Sequence, residues 1–206
     1  MSVDIGYVQR SVDAAARLAL RDTQAMESFD LTVDGYFRSF AAMIVALPLY
    51  VGLNYGWETI VITYAKAIGD KHTAALSFDI SDFALYMLDY LLSWLAFPIV
   101  MVFVLRFLGL TARYSALVIA YNWGTIIVFL LDVPAVALFG LGVISAFQAL
   151  ALQLIIFGFG LYYRFFVAMT ALQSKPSVAL AVALIDFITL SFLGLGLGAL
   201  GHLLNT

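Results

Sequence analysis

Apolar and polar positions follow two different patterns along this chain. In the first 37 residues, Tyr7, Val8, Val12, Ala15, Ala16 and Leu20 recur at helical spacing, while Arg10, Asp13, Arg17 and Arg21 fall elsewhere on the cylinder. That pattern predicts an amphipathic helix, which lies on a membrane surface or packs as a solvated helix on the domain. From Phe40 onward the polar face disappears. Five apolar stretches follow, at about 40–57, 83–105, 114–131, 145–173 and 177–204. Each reaches the roughly 17–25 residues that cross a bilayer's hydrocarbon. A helix that is apolar all round has no side to turn toward water. The pattern therefore predicts an all-α, polytopic membrane helix bundle. A cytoplasmic or interfacial segment, 1–37, precedes a five-helix transmembrane domain, 38–206.

Several positions interrupt this pattern. Residues 133–144, "VPAVALFGLGVI", are apolar but too short to span, and Pro134 lies near their start. They read as a loop buried against the bundle or a shallow interfacial turn. Pro48 and Pro98 fall inside spans one and two, where each frees a carbonyl that a neighbouring helix must satisfy. Thr32 is placed to cap the next helix, with Tyr36, Phe37 and Phe40 at headgroup depth and Arg38 reaching back to water.

Composition agrees with lipid as the solvent. The 206 residues are 64% hydrophobic and 11% charged, with a mean hydropathy of +1.03, against about 25% charged residues in a soluble domain. The absence of cysteine excludes disulfides, thiolate metal sites and iron–sulfur clusters. A net charge of −3 argues against nucleic acid as a partner. Residues 1–37 mix both charge signs and contain no apolar core of a cleavable signal, so the first span is expected to serve as the insertion signal.

Basic residues set an expected orientation. Arg10, Arg17, Arg21, Arg38, Arg106, Arg113 and Lys175 fall on one side of five spans, Lys66 and Lys71 on the other, and Arg164 within span four. This imbalance puts the N-terminus in the cytoplasm and the C-terminus outside. Glu58, Asp70, Asp79, Asp82 and Asp132, with Asp89 just inside span two, then read as a solvated outer rim or a cation-attracting vestibule.

Charged residues inside the spans are the candidate chemistry. Arg164 precedes Lys175 by eleven residues and Asp186 follows it by eleven. In an antiparallel hairpin that equality gives equal depth, about 13–16 Å from the turn at 1.5 Å per residue. A lone charge there costs at least about 2.5–3.5 kcal/mol. The spacing thus predicts a buried Arg164–Asp186 ion pair, either a clamp between two helices or an ion relay. Asn122, Trp123, Trp94, Ser93, Tyr163, Gln153 and Thr189 fall at similar depth and read as a polar layer of interhelical hydrogen bonds or the lining of a small cavity. Gly194, Gly198 and Gly201 allow close helix packing, internally or in a homodimer. His72 and His202 both map to the outer side, where a bis-histidine site is conceivable but unsupported by other ligands. No nucleotide-binding glycine pattern, His-Glu-x-x-His or Ser/His/Asp arrangement appears, so neither enzyme nor cofactor is expected.

The layout of a cytoplasmic N-terminal segment, five spans and a "QSKPSVALAVAL" lead-in to the last span resembles the Yip1-domain superfamily. "RYSALVIAYNWGTII" (113–127) resembles segments of small inner-membrane proteins of alphaproteobacteria. The Yip1 resemblance implies a membrane adaptor or organiser, and no functional residue carries over from it. The expected function is thus a non-enzymatic accessory subunit or organiser, bound to lipid and to a membrane-protein partner or a second copy. The alternative is a small transporter or channel built on the Arg164–Asp186 site.

Overall fold

The computed structural model describes residues 4–74 and 80–204. Eight α-helices are present among them: α1 (Ile5–Ala19), α2 (Val33–Ser39), α3 (Ala41–Ile68), α4 (Lys71–Ala74), α5 (Ile80–Phe107), α6 (Tyr114–Gly140), α7 (Ala146–Leu172) and α8 (Pro176–Leu204). No strand occurs among the described residues. Five helices are long and apolar enough to cross a membrane: α3 together with α2, then α5, α6, α7 and α8. Large apolar side chains such as Ile44, Phe103, Leu154 and Phe192 stay exposed on their outer faces, the arrangement expected when lipid supplies the remaining contacts.

Local signals account for most helix ends. Asp4 caps α1 by accepting from the Tyr7 amide at 2.7 Å. Thr32 caps α2 through the Gly35 amide at 3.1 Å, and Ser145 with Gln148 forms a capping box on α7. Gly69 closes α3 in the left-handed conformation (φ 78°). Span one extends well past Trp57, because Thr59 returns its hydroxyl to the Tyr55 carbonyl and the apolar face continues through Ile60 and Ala65.

Residues 133–140 depart from the loop expectation. They continue α6 to Gly140, and only 141–144 form a turn. Pro134 removes one amide without ending the helix, as membrane surroundings tolerate, and the exposed Pro134 ring faces away from the packed side. The packed side is held by Gly56 of α3, whose Cα lies so close to α6 that an added Cβ would collide with the Val136 side chain.

Helix α6 is the axis of the bundle. Nine consecutive residues, Ala116 to Gly124, are buried, which requires cover on every side. That cover comes from α1, α2, α3, α5 and α7, with α8 packed on α5 and α7. The N-terminal segment thus forms part of the packed bundle. Helix α1 buries Tyr7, Ser11, Ala14, Ala15 and Leu18, a stripe rotated from the one that periodicity picks out. Leu20 lies beyond the helix end, beside Arg21 at φ 67°, and is 83% exposed. Arg38 does not reach back to water. Its guanidinium carbon sits 4.0 Å above the Tyr7 ring, and one nitrogen lies 3.5 Å from Asp30.

Candidate functional site

Two adjacent helices supply the charges at the centre. Arg164 of α7 places Nη1 2.9 Å from Oδ2 of Asp186 on α8. The carboxylate is 1% exposed and the arginine side chain 19%. Helix α6 supports the pair from the side. The Tyr121 hydroxyl donates to the Arg164 carbonyl at 3.2 Å, and its ring lies 5.5 Å from the guanidinium carbon. Phe97 of α5 stacks on that ring at 4.0 Å, so the arginine is braced through two aromatic layers.

The pair is incompletely satisfied. Oδ1 of Asp186 is buried and accepts no hydrogen bond from the protein. An ionised carboxylate offers about four acceptor positions, and leaving one oxygen of a buried carboxylate bare is costly unless something else can reach it. Both charged residues line a cavity of about 270 Å³ between α3, α5, α6, α7 and α8. They also border a second cavity of about 360 Å³, on the side of Asp132 and Gln153. The ion pair therefore borders two clefts, the second of them opening beside the exposed Phe157 and Phe187.

The expected polar layer separates into three groups. Trp94, Ser93 and Asn122 line the first cavity with the ion pair. Asn122 also donates to Ser39 Oγ at 2.8 Å, tying α6 to the α2–α3 junction. Gln153 belongs to the second cavity, where its Oε1 and the Oδ1 of Asp132 are buried without protein partners. Trp123 and Tyr163 face the other way and join neither cavity. Trp123 meets Tyr7 edge-on at 5.6 Å, and the Tyr163 hydroxyl donates to the Ala15 carbonyl at 2.9 Å. These two side chains dock α1 on the bundle, which settles its packing against the domain but is a role that depth alone does not reveal. Thr189 returns its hydroxyl to the Ile185 carbonyl of its own helix.

Two acids expected at a solvated rim lie inside the bundle. Asp132 is part-buried beside Gln153. Asp89, part-buried on α5, accepts from the Tyr50 hydroxyl at 3.2 Å and lines the first cavity. The depth count applied to Asp186 would also have found Asp89, which sits seven residues into its apolar stretch. Nothing local marked Tyr50, Tyr90 or Phe129, since aromatic residues are frequent throughout the chain.

The glycines also divide. An added Cβ at Gly201 would come within 2.8 Å of Leu85, so that glycine lets α8 approach α5. Gly194 and Gly198 have nothing within 4 Å and pack against no helix here. The side chains of His72, Asp82 and His202, and all of Asp79, lie outside the described residues. Among those described, no group of three His, Cys, Asp or Glu gathers to hold a metal. Outside the spans, the Thr32 hydroxyl bond, helped by the Thr32 amide and Arg38, holds the Asp30 carboxyl below the usual carboxylate range despite some desolvation. Comparison with family models, curated proteins and solved structures finds no match.

Proposed function

We propose that this chain is a non-enzymatic inner-membrane protein that binds a small polar solute within its bundle, as a small transporter or channel does. The observation that carries the reading is Asp186 Oδ1, buried at a cavity wall and lacking any protein donor. A clamp serving only stability does best with every lone pair of its buried charges satisfied. Here the pair instead lines two cavities, and a solute or water entering either one meets these charges. The proposed orientation is N-terminus cytoplasmic and C-terminus periplasmic, supported by the excess of arginine and lysine on the N-terminal side. Reconstitution into liposomes tests the reading. Solute or ion flux that is lost in Arg164→Met/Asp186→Leu, while the fold survives, supports it. Flux unchanged by that double substitution would remove the basis for it.

The accessory-subunit or organiser reading keeps one supporting observation, the uncovered Gly198 on α8, where a partner helix or second copy could approach closely. The Yip1-like layout points the same way. Purification in a gentle detergent followed by mass spectrometry separates the two readings. A stoichiometric membrane-protein partner supports the subunit role, and a monomer that carries out flux alone supports the solute role.

A further inference from the structure

The first cavity is lined by more acidic than basic side chains. Asp89, Arg164 and Asp186 line it, and Arg164 is already paired with Asp186. The Tyr50 hydroxyl lies 3.2 Å from Asp89 and 3.0 Å from the Tyr86 carbonyl, so one proton serves both, and no arginine or lysine among the described residues forms an ion pair with Asp89. An ionised Asp89 would therefore lack a counter-charge. The wall beside Asp89 is aromatic. Tyr50 and Tyr90 lie 4.5 Å apart by ring centroids, Trp94 lies 6.0 Å from Tyr90, and Phe129 lies 5.9 Å from Tyr50. All four rings line the same cavity.

A carboxylate with one hydroxyl donor, inside a wall of aromatic rings, suits one ligand chemistry. A small inorganic cation needs several oxygen ligands converging in a tight shell, whereas the oxygens of Asp89, Asn122, Thr125 and Asp186 line this cavity from three different helices. An amine or quaternary ammonium group uses both features, because ring faces attract a diffuse positive charge and the carboxylate neutralises it. The volume of about 270 Å³ accommodates a compact organic cation. We propose, resting on the solute-binding reading above, that this cavity binds a small organic monocation, amine or quaternary ammonium, with Asp89 as its counter-ion and Tyr50, Tyr90, Trp94 and Phe129 as its aromatic cage. The cation reaches the site as a free solute or as a lipid headgroup, since both present the same group.

The test uses the purified full chain and tetramethylammonium chloride as the probe. Thermal unfolding is followed at constant ionic strength, with sodium chloride as the reference and with sodium acetate and urea as anionic and neutral solutes. Tetramethylammonium at ten times its Kd should raise Tm by about 3–6 °C, and Asp89→Asn should abolish the rise. Should Asp89→Asn fail to fold, Trp94→Leu serves instead, weakening binding about 3–30-fold. A shift that persists unchanged in these variants overturns the assignment of the site. No shift with tetramethylammonium, but one with acetate or urea, overturns the cation proposal and leaves solute binding standing. No shift with any solute overturns both. Nanodiscs of phosphatidylcholine and of phosphatidylglycerol identify the source. A phosphatidylcholine-specific stabilisation that removes the further effect of tetramethylammonium assigns a headgroup, and an equal shift in both lipids assigns a free cation.

Discussion

Replacing Asp186 with asparagine keeps the side chain's shape and removes its charge. Arg164 then loses its counter-charge and keeps a neutral amide oxygen as acceptor, the Tyr121 ring at 5.5 Å and whatever solvent the cavities admit. Removing one partner of a buried pair generally costs about 3–5 kcal/mol. Arg164 is 19% exposed to the cavities, so partial hydration lowers the expected loss to about 2–4 kcal/mol. Arg164→Met leaves the more deeply buried carboxylate alone, and the loss should be at least as large because protonation of Asp186 is then the only escape. The double substitution Arg164→Met/Asp186→Leu removes both charges and should recover at least half of either single loss. Steric-trapping or SDS-unfolding equilibria in bicelles give these values, and the cycle yields the coupling directly. If both single variants unfold like the parent, the 2.9 Å contact contributes nothing and the proposed reason for two charges at this depth is wrong. Additive losses with no recovery would mean that each residue acts through a separate partner.

Other contacts give sharper local expectations. Gly56→Leu should destabilise the bundle by about 1–3 kcal/mol through overpacking against Val136, whereas Gly194→Ala, with open space around it, should leave the same unfolding curve in place. Tyr163→Phe loses the bond to the Ala15 carbonyl, worth about 1 kcal/mol when the acceptor stays buried, and should speed proteolytic removal of the N-terminal helix while lowering Tm by about 2–4 °C. Asp30 has a depressed folded-state pKa, so its contribution is present above the ordinary carboxylate range and is lost as pH falls through the folded value. Asp30→Asn should therefore flatten the acid side of the pH–stability curve, and an unchanged curve would assign acid sensitivity elsewhere. The chain has no cysteine, so single cysteines report solvent access cleanly. Tyr162→Cys should react with an impermeant maleimide faster than Leu154→Cys, because α1 brings polar surface to the level of Tyr163.

Helix content, the five spanning helices and the level of Arg164 against Asp186 were legible because each follows from one-dimensional counting. Period and length identify a span, and equal distance from Lys175 gives relative height within a hairpin. Counting does not give the angle at which a residue faces. Trp123 and Tyr163 share the depth of Asn122 and Arg164 yet point to α1, while Asp89 turns inward from a position that seemed to border water. Nor could periodicity show that α6 is enclosed. An all-apolar helix reads the same whether lipid or protein surrounds it, and only the packing of α1 and α2 on its first half distinguishes the two. Pro134 misled for a related reason, since the proline rule assumes water-exposed helices in which a lost hydrogen bond ends the segment.

The position of α1 also revises the depth of the ion pair. Counting from Lys175 assumes that the hydrocarbon begins at the α7–α8 turn. The Tyr163 hydroxyl, however, bonds the Ala15 carbonyl, which sets α1 beside α7 at the level of Arg164. Helix α1 exposes Arg10 and Asp13 and pairs Arg17 with Asp22 at 2.6 Å, a surface that acyl chains solvate poorly. In the proposed orientation the headgroup region would then reach Tyr163 on that side of the bundle, where the N-terminal segment wraps α6 and α7. Arg164 and Asp186 would lie near that boundary of the hydrocarbon rather than at its middle. The first cavity extends from them along α8 through Leu190 to Gly194, toward the C-terminal end of that helix. The charge pair thus stands at the end of this cavity nearer the α7–α8 turn, with Asp89 and its aromatic wall beside it.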